Sequence, residues 1–165
     1  MPSPERIVIN TSPLLALIAA IGDLRLLGTL YQEVLVPYEV GQEILRGGQS
    51  GFGVTEFQQA TSLKKLDRPL KIAPLLLNSL DLGEASVIQL ALDRGIATVC
   101  IDEAIGRRIA RLSNLQVTGS IGVLLRAKRE GYQFSMAEAI ARMVGRGIRL
   151  SDTVIQIALR ESGEV

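Results

Sequence analysis

Four side chains able to offer oxygen to a hard cation stand beside apolar runs: Asn10, Glu43, Glu84 and Asp102. Asn10 directly follows Ile7-Val8-Ile9, and Asp102 directly follows Val99-Cys100-Ile101, so each closes an apolar run of strand length. Glu84 heads a stretch in which Val87, Ile88 and Ala91 recur three, four and seven residues on, which sets it at the start of a buried helical stripe. Ser86, Gln89 and Asp93 are expected on other faces of that helix. Glu43 lies among Val40, Ile44 and Gly47 on a short segment that otherwise faces a core. Carboxylates in such places need hydrogen bonds, a paired charge or a metal. Taken singly, each has a plainer role: Asp102 as the cap of the next helix, Glu84 as a first-turn acid in a helix dipole, Glu43 as an exposed helix glutamate. Taken together, three carboxylates and one carboxamide form an all-oxygen donor set of the kind that Mg²⁺ or Mn²⁺ accepts. A cation so held lowers the pKa of bound water and grips phosphate, which opens phosphodiester hydrolysis to this chain. There is no histidine. Histidine triads, histidine-ligated zinc and the usual general bases are therefore excluded.

Such residues act only if the fold brings them together, and the order of elements predicts that it does. Residues 6–10 read as a strand, and Thr11-Ser12-Pro13 as a helix start leading through residue 21. Asp23 is expected to cap a helix over 24–31. Residues 33–37 read as a strand, 38–45 as a helix, and the glycine-rich 46–53 as a hinge or flap. A helix over 54–59 and an irregular or strand-like connector over 62–69 follow. Residues 70–77 are expected to be helical and interrupted by Pro74. Helices over 84–94, 103–112, 120–129, 135–144 and 151–161 alternate with strands over 97–102 and 115–118. Strands alternating with helices predict a mostly parallel sheet covered on both faces, with its ligand site beyond the carboxyl ends of the strands.

The 165 residues suit one domain, 1–165, with a core over 6–130 and added C-terminal helices over 131–165. A hydrophobic fraction of 47% excludes a disordered chain. The longest apolar stretch, 14–21, is too short for a membrane span, and the first ten residues lack the pattern of a signal peptide. The lone cysteine, Cys100, sits in a strand-like run and reads as core; without a disulfide framework the reducing cytoplasm is the default location. Residues 1–102 carry 8 Lys/Arg against 11 Asp/Glu, and residues 103–165 carry 10 against 6. An acidic centre beside a basic flank permits a polyanion partner.

The stretches Ile7-Val8-Ile9-Asn10-Thr11-Ser12-Pro13-Leu14, Leu82-Gly83-Glu84-Ala85, Val99-Cys100-Ile101-Asp102 and Val117-Thr118-Gly119-Ser120 resemble, in order and spacing, the motifs of the PIN family. The resemblance spans roughly residues 6 to 130 and is nearest to an uncharacterised prokaryotic subfamily related to toxins of toxin–antitoxin pairs. It implies a three-layer α/β/α fold and a Mg²⁺- or Mn²⁺-dependent endoribonuclease, with RNA, a small antitoxin protein and a second copy of the chain as partners. The family's acids fall on Asn10, Glu43, Glu84 and Asp102, and its supporting small polar residue on Ser12. Where some members carry a further acid, this chain has Gly119. Arg107 and Arg108 follow Asp102 closely enough to meet phosphates laid across the site. Asn10 departs from the family's aspartate: its carbonyl can meet a metal, but it brings no charge and cannot act as a base. One alternative is therefore a silent PIN-fold module that binds RNA or a protein. A phosphoacceptor domain built on Asp102 would need paired acids after the first strand and a lysine late in the sheet, whereas this chain has Asn10-Thr11 and no such lysine.

Overall fold

The computed structural model describes residues 5–164. Its elements are β1 (Arg6–Ile9), α1 (Thr11–Ile21), α2 (Arg25–Leu30), β2 (Glu33–Val36), α3 (Tyr38–Arg46), α4 (Val54–Gln59), β3 (Leu63–Lys65), α5 (Pro74–Ser79), α6 (Leu82–Arg94), β4 (Thr98–Cys100), α7 (Ala104–Leu112), β5 (Gln116–Thr118), α8 (Ser120–Arg129), α9 (Met136–Gly145) and α10 (Asp152–Glu161). The strands form one sheet in the order β3-β2-β1-β4-β5, and every neighbouring pair is parallel. Parallel strands covered on both sides require continuous apolar runs rather than alternation. Ile7, Val8, Ile9, Val34, Leu35, Val36, Val99, Cys100 and Ile101 supply them, and all are buried. α6 packs on β1 and β4, while α1 packs against α8 and α9, so helices flank the sheet as the α/β reading expects.

The strand order decides where a site belongs. From β1 the chain moves outward through β2 to β3, then returns to lay β4 on the other side of β1. Connections that leave two adjacent strands in opposite directions open a crevice between their carboxyl ends. Here that crevice lies between β1 and β4, where Ile9 pairs with Cys100, so Asn10 and Asp102 stand on its two lips.

Local differences from the sequence expectations have simple causes. Pro74 opens α5 rather than interrupting a longer helix, because it needs no N–H partner in a first turn. Asp23 accepts the Arg25 N–H and guanidinium, but the residue at the cap of α2 is Leu24, without a side-chain cap. α6 begins at Leu82, two positions before the expected start, because the Asp81 side chain accepts the Glu84 N–H at 2.8 Å. Ser86 is fully buried rather than turned outward, its hydroxyl donating to the Gly83 carbonyl at 2.6 Å. The glycine-rich hinge appears as turns over 48–53, with φ positive at Gly47, Gly48, Gly51 and Gly53. No described helix is long and apolar enough to cross a membrane.

The C-terminal helices are fastened by charge. Glu164 accepts the N–H groups of Ala137 at 3.0 Å and Met136 at 2.6 Å, and Lys128 pairs with it at 3.2 Å. These contacts, the Ala137 N–H first, hold its carboxyl down at about 2. The ordinary value is 4.5, so the stabilisation is fully present above that pH and is lost as pH falls toward 2. Glu164→Gln should cost about 1–2 kcal/mol at pH 7, and the difference from wild type should shrink in urea melts between pH 4.5 and pH 2.5. A constant difference across that range refutes the clamp. The basic end of α8 is likewise engaged within the fold: the Arg126 guanidinium donates to Leu30 O, Glu5 and Glu130 and lies over the Tyr31 ring.

Candidate functional site

β1 delivers Asn10 to the crevice, and the Asn10 N–H donates to Cys100 O at 3.0 Å, which ties the turn to β4. Asn10 occupies the cap position of α1, yet its side chain makes no cap bond. It is 3% exposed, and its Oδ1 has no hydrogen-bond partner. A buried carbonyl oxygen without a partner is costly, so a group outside the chain is the natural candidate to satisfy it. Next to it, the Thr11 hydroxyl donates to Glu43 Oε1 and so aims the exposed Glu43 carboxylate of α3 toward the same spot. The spot is marked by Gly83, in the first turn of α6. A Cβ there would lie 3.1 Å from Asn10 Oδ1, 3.3 Å from Glu43 Oε1 and 3.5 Å from Asp81 Oδ1. Three oxygens from β1, α3 and the head of α6 thus face one gap.

Glu84 lies on the other side of the first turn of α6. It is 6% exposed, its Oε2 is without a partner, and it rests on α7, where a Cβ at Gly106 would lie 2.6 Å from that oxygen. Burial first, then the neighbouring Asp81 and Glu103 carboxylates, pushes its carboxyl up to about 7. Glu39 is a further buried acid: Oε2 accepts the Leu70 N–H at 2.8 Å and so anchors the connector before α5.

Asp102 is arranged differently. The cap of α7 is Glu103, without a side-chain cap bond, so the plain capping role for Asp102 does not hold. Its carboxylate accepts the Ser120 N–H at 2.7 Å and the Ser120 hydroxyl at 2.9 Å, and thereby serves the first turn of α8. Burial raises its pKa, opposed by the two Ser120 bonds and by Arg107. Arg107 is held beside it by donation to Ile101 O at 2.9 Å. A Cβ on Gly119 would lie 2.6 Å from Asp102 Oδ1 and 2.8 Å from Arg107 Nη1. A side chain at this position would have to displace the Asp102 carboxylate or the Arg107 guanidinium. Arg108 is exposed, and the Ser12 hydroxyl donates to Glu103 Oε1 at 3.4 Å.

The structure therefore brings Asn10 and Glu43 to one point, sets Glu84 beside that point across Asp81, and ties Asp102 to Ser120 at the opposite lip. Among the described residues no three His, Cys, Asp or Glu side chains come close enough to hold a metal ion. The group over Gly83 has two carboxylates and one carboxamide. The donor chemistry nevertheless fits a hard divalent cation, since every atom is oxygen; of the three buried unpartnered oxygens, Asn10 Oδ1 belongs to this group, Glu84 Oε2 lies beside it, and Glu39 Oε1 is the third. Asp81 escaped the sequence reading because a cap three residues before a helix glutamate has an ordinary explanation. Beyond Asp102 a cavity of about 790 Å³ extends past Ser120 to Arg149, Leu150, Val154 and Ile157. A second cleft of about 350 Å³ opens beside Thr11 and Glu43, walled by Phe52 with Arg146 stacked on its ring at 3.8 Å.

Comparison with known proteins places this geometry in a family. A family model described as a PIN domain matches residues 6–164. No curated protein matches the chain.

Proposed function

The chain belongs to the PIN-domain family, and from that premise we propose that it is a metal-dependent endoribonuclease that hydrolyses RNA phosphodiester bonds. The observation that carries this reading is the pair of buried, unpartnered oxygens, Asn10 Oδ1 and Glu84 Oε2, beside the β1–β4 crevice. Asn10, Glu43, Glu84 and Asp102 are the residues that would hold Mg²⁺ or Mn²⁺. A divalent cation supplies an activated water and a grip on phosphate.

The chain's own groups divide the remaining work. Asn10 offers an oxygen without charge. Asp102 accepts two bonds from Ser120, and an ionised carboxylate has further lone pairs to give. Arg107, beside Asp102 in the wall of the cavity, and the exposed Arg108 would contact backbone phosphates, and Ser12, in the same cavity wall, would support the site. On this reading the enzyme works in the cytoplasm, as a toxin held in check by a small antitoxin protein, and pairs with a second copy of the chain.

RNA cleavage with Mn²⁺ tests the assignment. Asp102→Asn should lower the rate by about 10²-fold or more, because it removes charge that a bound cation needs. Equal cleavage by the variant and the wild type sinks it. A second reading, a PIN-fold binding module without catalysis, is favoured by the uncharged Asn10 and by the Ser120 bonds that hold Asp102. It expects retention of RNA or of an antitoxin-like protein with no Mn²⁺-dependent cleavage by either form.

A further inference from the structure

We propose that Asp81 is an oxygen donor at this site, bringing from the head of α6 the negative charge that Asn10 does not bring from the end of β1. The ligand is a hard divalent cation, so the inference rests on the metal-dependent reading above.

Three observations support it. The Asp81 carboxylate faces the same gap over Gly83 as Asn10 Oδ1 and Glu43 Oε1. Asn10 Oδ1 is buried and unpartnered at the floor of that gap, so the gap contains an oxygen that nothing in the chain satisfies. Among the described residues, no Lys or Arg forms an ion pair with Glu43, Asp81 or Glu84. Like charges three residues apart at a helix start repel one another. Serine, threonine or asparagine would cap α6 as well as aspartate does without that repulsion.

Asp81 also has coordination capacity to spare. Its Oδ1 accepts the Glu84 N–H at 2.8 Å, and an ionised carboxylate keeps lone pairs for another partner. Gly83 completes the arrangement. Its helical backbone does not require glycine, but a methyl group there would stand between the three oxygens, at 3.1–3.5 Å from each.

Calorimetric titration of the full chain with MnCl₂ tests this without reference to cleavage. Asp81→Asn keeps the cap and removes the charge, and should weaken Mn²⁺ binding at least about tenfold. Asn10→Asp placed in the Asp81→Asn chain should restore it, since the charge returns to the same gap. Gly83→Ala keeps every charge and improves helix propensity, so it should stay folded and still lose Mn²⁺ affinity. If Asp81→Asn and Gly83→Ala both bind Mn²⁺ as the wild type does, while Glu84→Gln binds it more weakly, the role of Asp81 is overturned and the metal reading stands. If the wild type shows no heat with Mn²⁺, both are overturned.

Discussion

In metal-free buffer at pH 8, Glu84→Gln should be more stable than the wild type by about 1–2 kcal/mol, solvent screening discounting the full effect of the raised carboxyl, while losing the Mn²⁺-dependent RNA cleavage proposed above. The cause lies in where the carboxyl sits. Its oxygen is buried against Gly106 without a partner, and Asp81 and Glu103 stand close, so the folded chain holds its proton up to about pH 7. The unfolded chain releases it near 4.5. Between those values the folded state binds more protons than the unfolded one, so wild-type stability falls as pH rises and reaches its low plateau above about 7. Glutamine has no proton to lose. The variant and the wild type should coincide near pH 4 and separate progressively toward pH 8 in urea melts with EDTA present. A wild type whose stability is flat from pH 5 to pH 8 would refute the account. Stability sacrificed by burying a carboxyl without a partner is expected where a chain holds charge for function.

The second large effect concerns the strand that carries Asn10. Ile9→Ala should lower stability by about 2–5 kcal/mol, and Ile9→Val by about 0.5–1.5 kcal/mol. Ile9 is fully buried in the central strand and pairs with Cys100 of β4. Loss of its side chain leaves a cavity between elements that support each other on both sides, so relaxation is limited. Cleavage by Ile9→Val should remain near the wild-type rate at a temperature where both are folded, because the Asn10 N–H to Cys100 O bond does not depend on the lost methyl. Chemical denaturation checks the first part. An Ile9→Ala cost under 1 kcal/mol would show that β1 is less tightly held than its burial implies.

The helices and strands were legible because their signals are local. Apolar runs of three residues in β1 and β2, the Thr11-Ser12-Pro13 start and the stripe below Glu84 each depend on neighbours within a few positions. Local rules also admit two outcomes: a proline such as Pro74 can break a helix or open one, and α6 takes its start from the Asp81 cap rather than from Glu84. The positions of Asn10 and Asp102 at strand ends followed from the same patterns.

Which strands are adjacent was not legible, because parallel pairing joins segments far apart in the chain and leaves no periodic trace at either. The β1–β4 neighbourhood, and hence the crevice, belongs to the tertiary structure. So does the state of each candidate residue. Asp102 finds Ser120 eighteen positions away, Thr11 finds Glu43 thirty-two away, and Gly83 leaves the space in which Asn10, Glu43 and Asp81 face one another. By itself the sequence determined which oxygens the chain possesses and that they sit beside apolar elements. Only the packed fold decided which of them are satisfied within the chain and which, Asn10 Oδ1, Glu39 Oε1 and Glu84 Oε2, are buried without a partner. The physical reason is that a hydrogen bond depends on distance in space, and that distance is set by how the sheet and its helices pack.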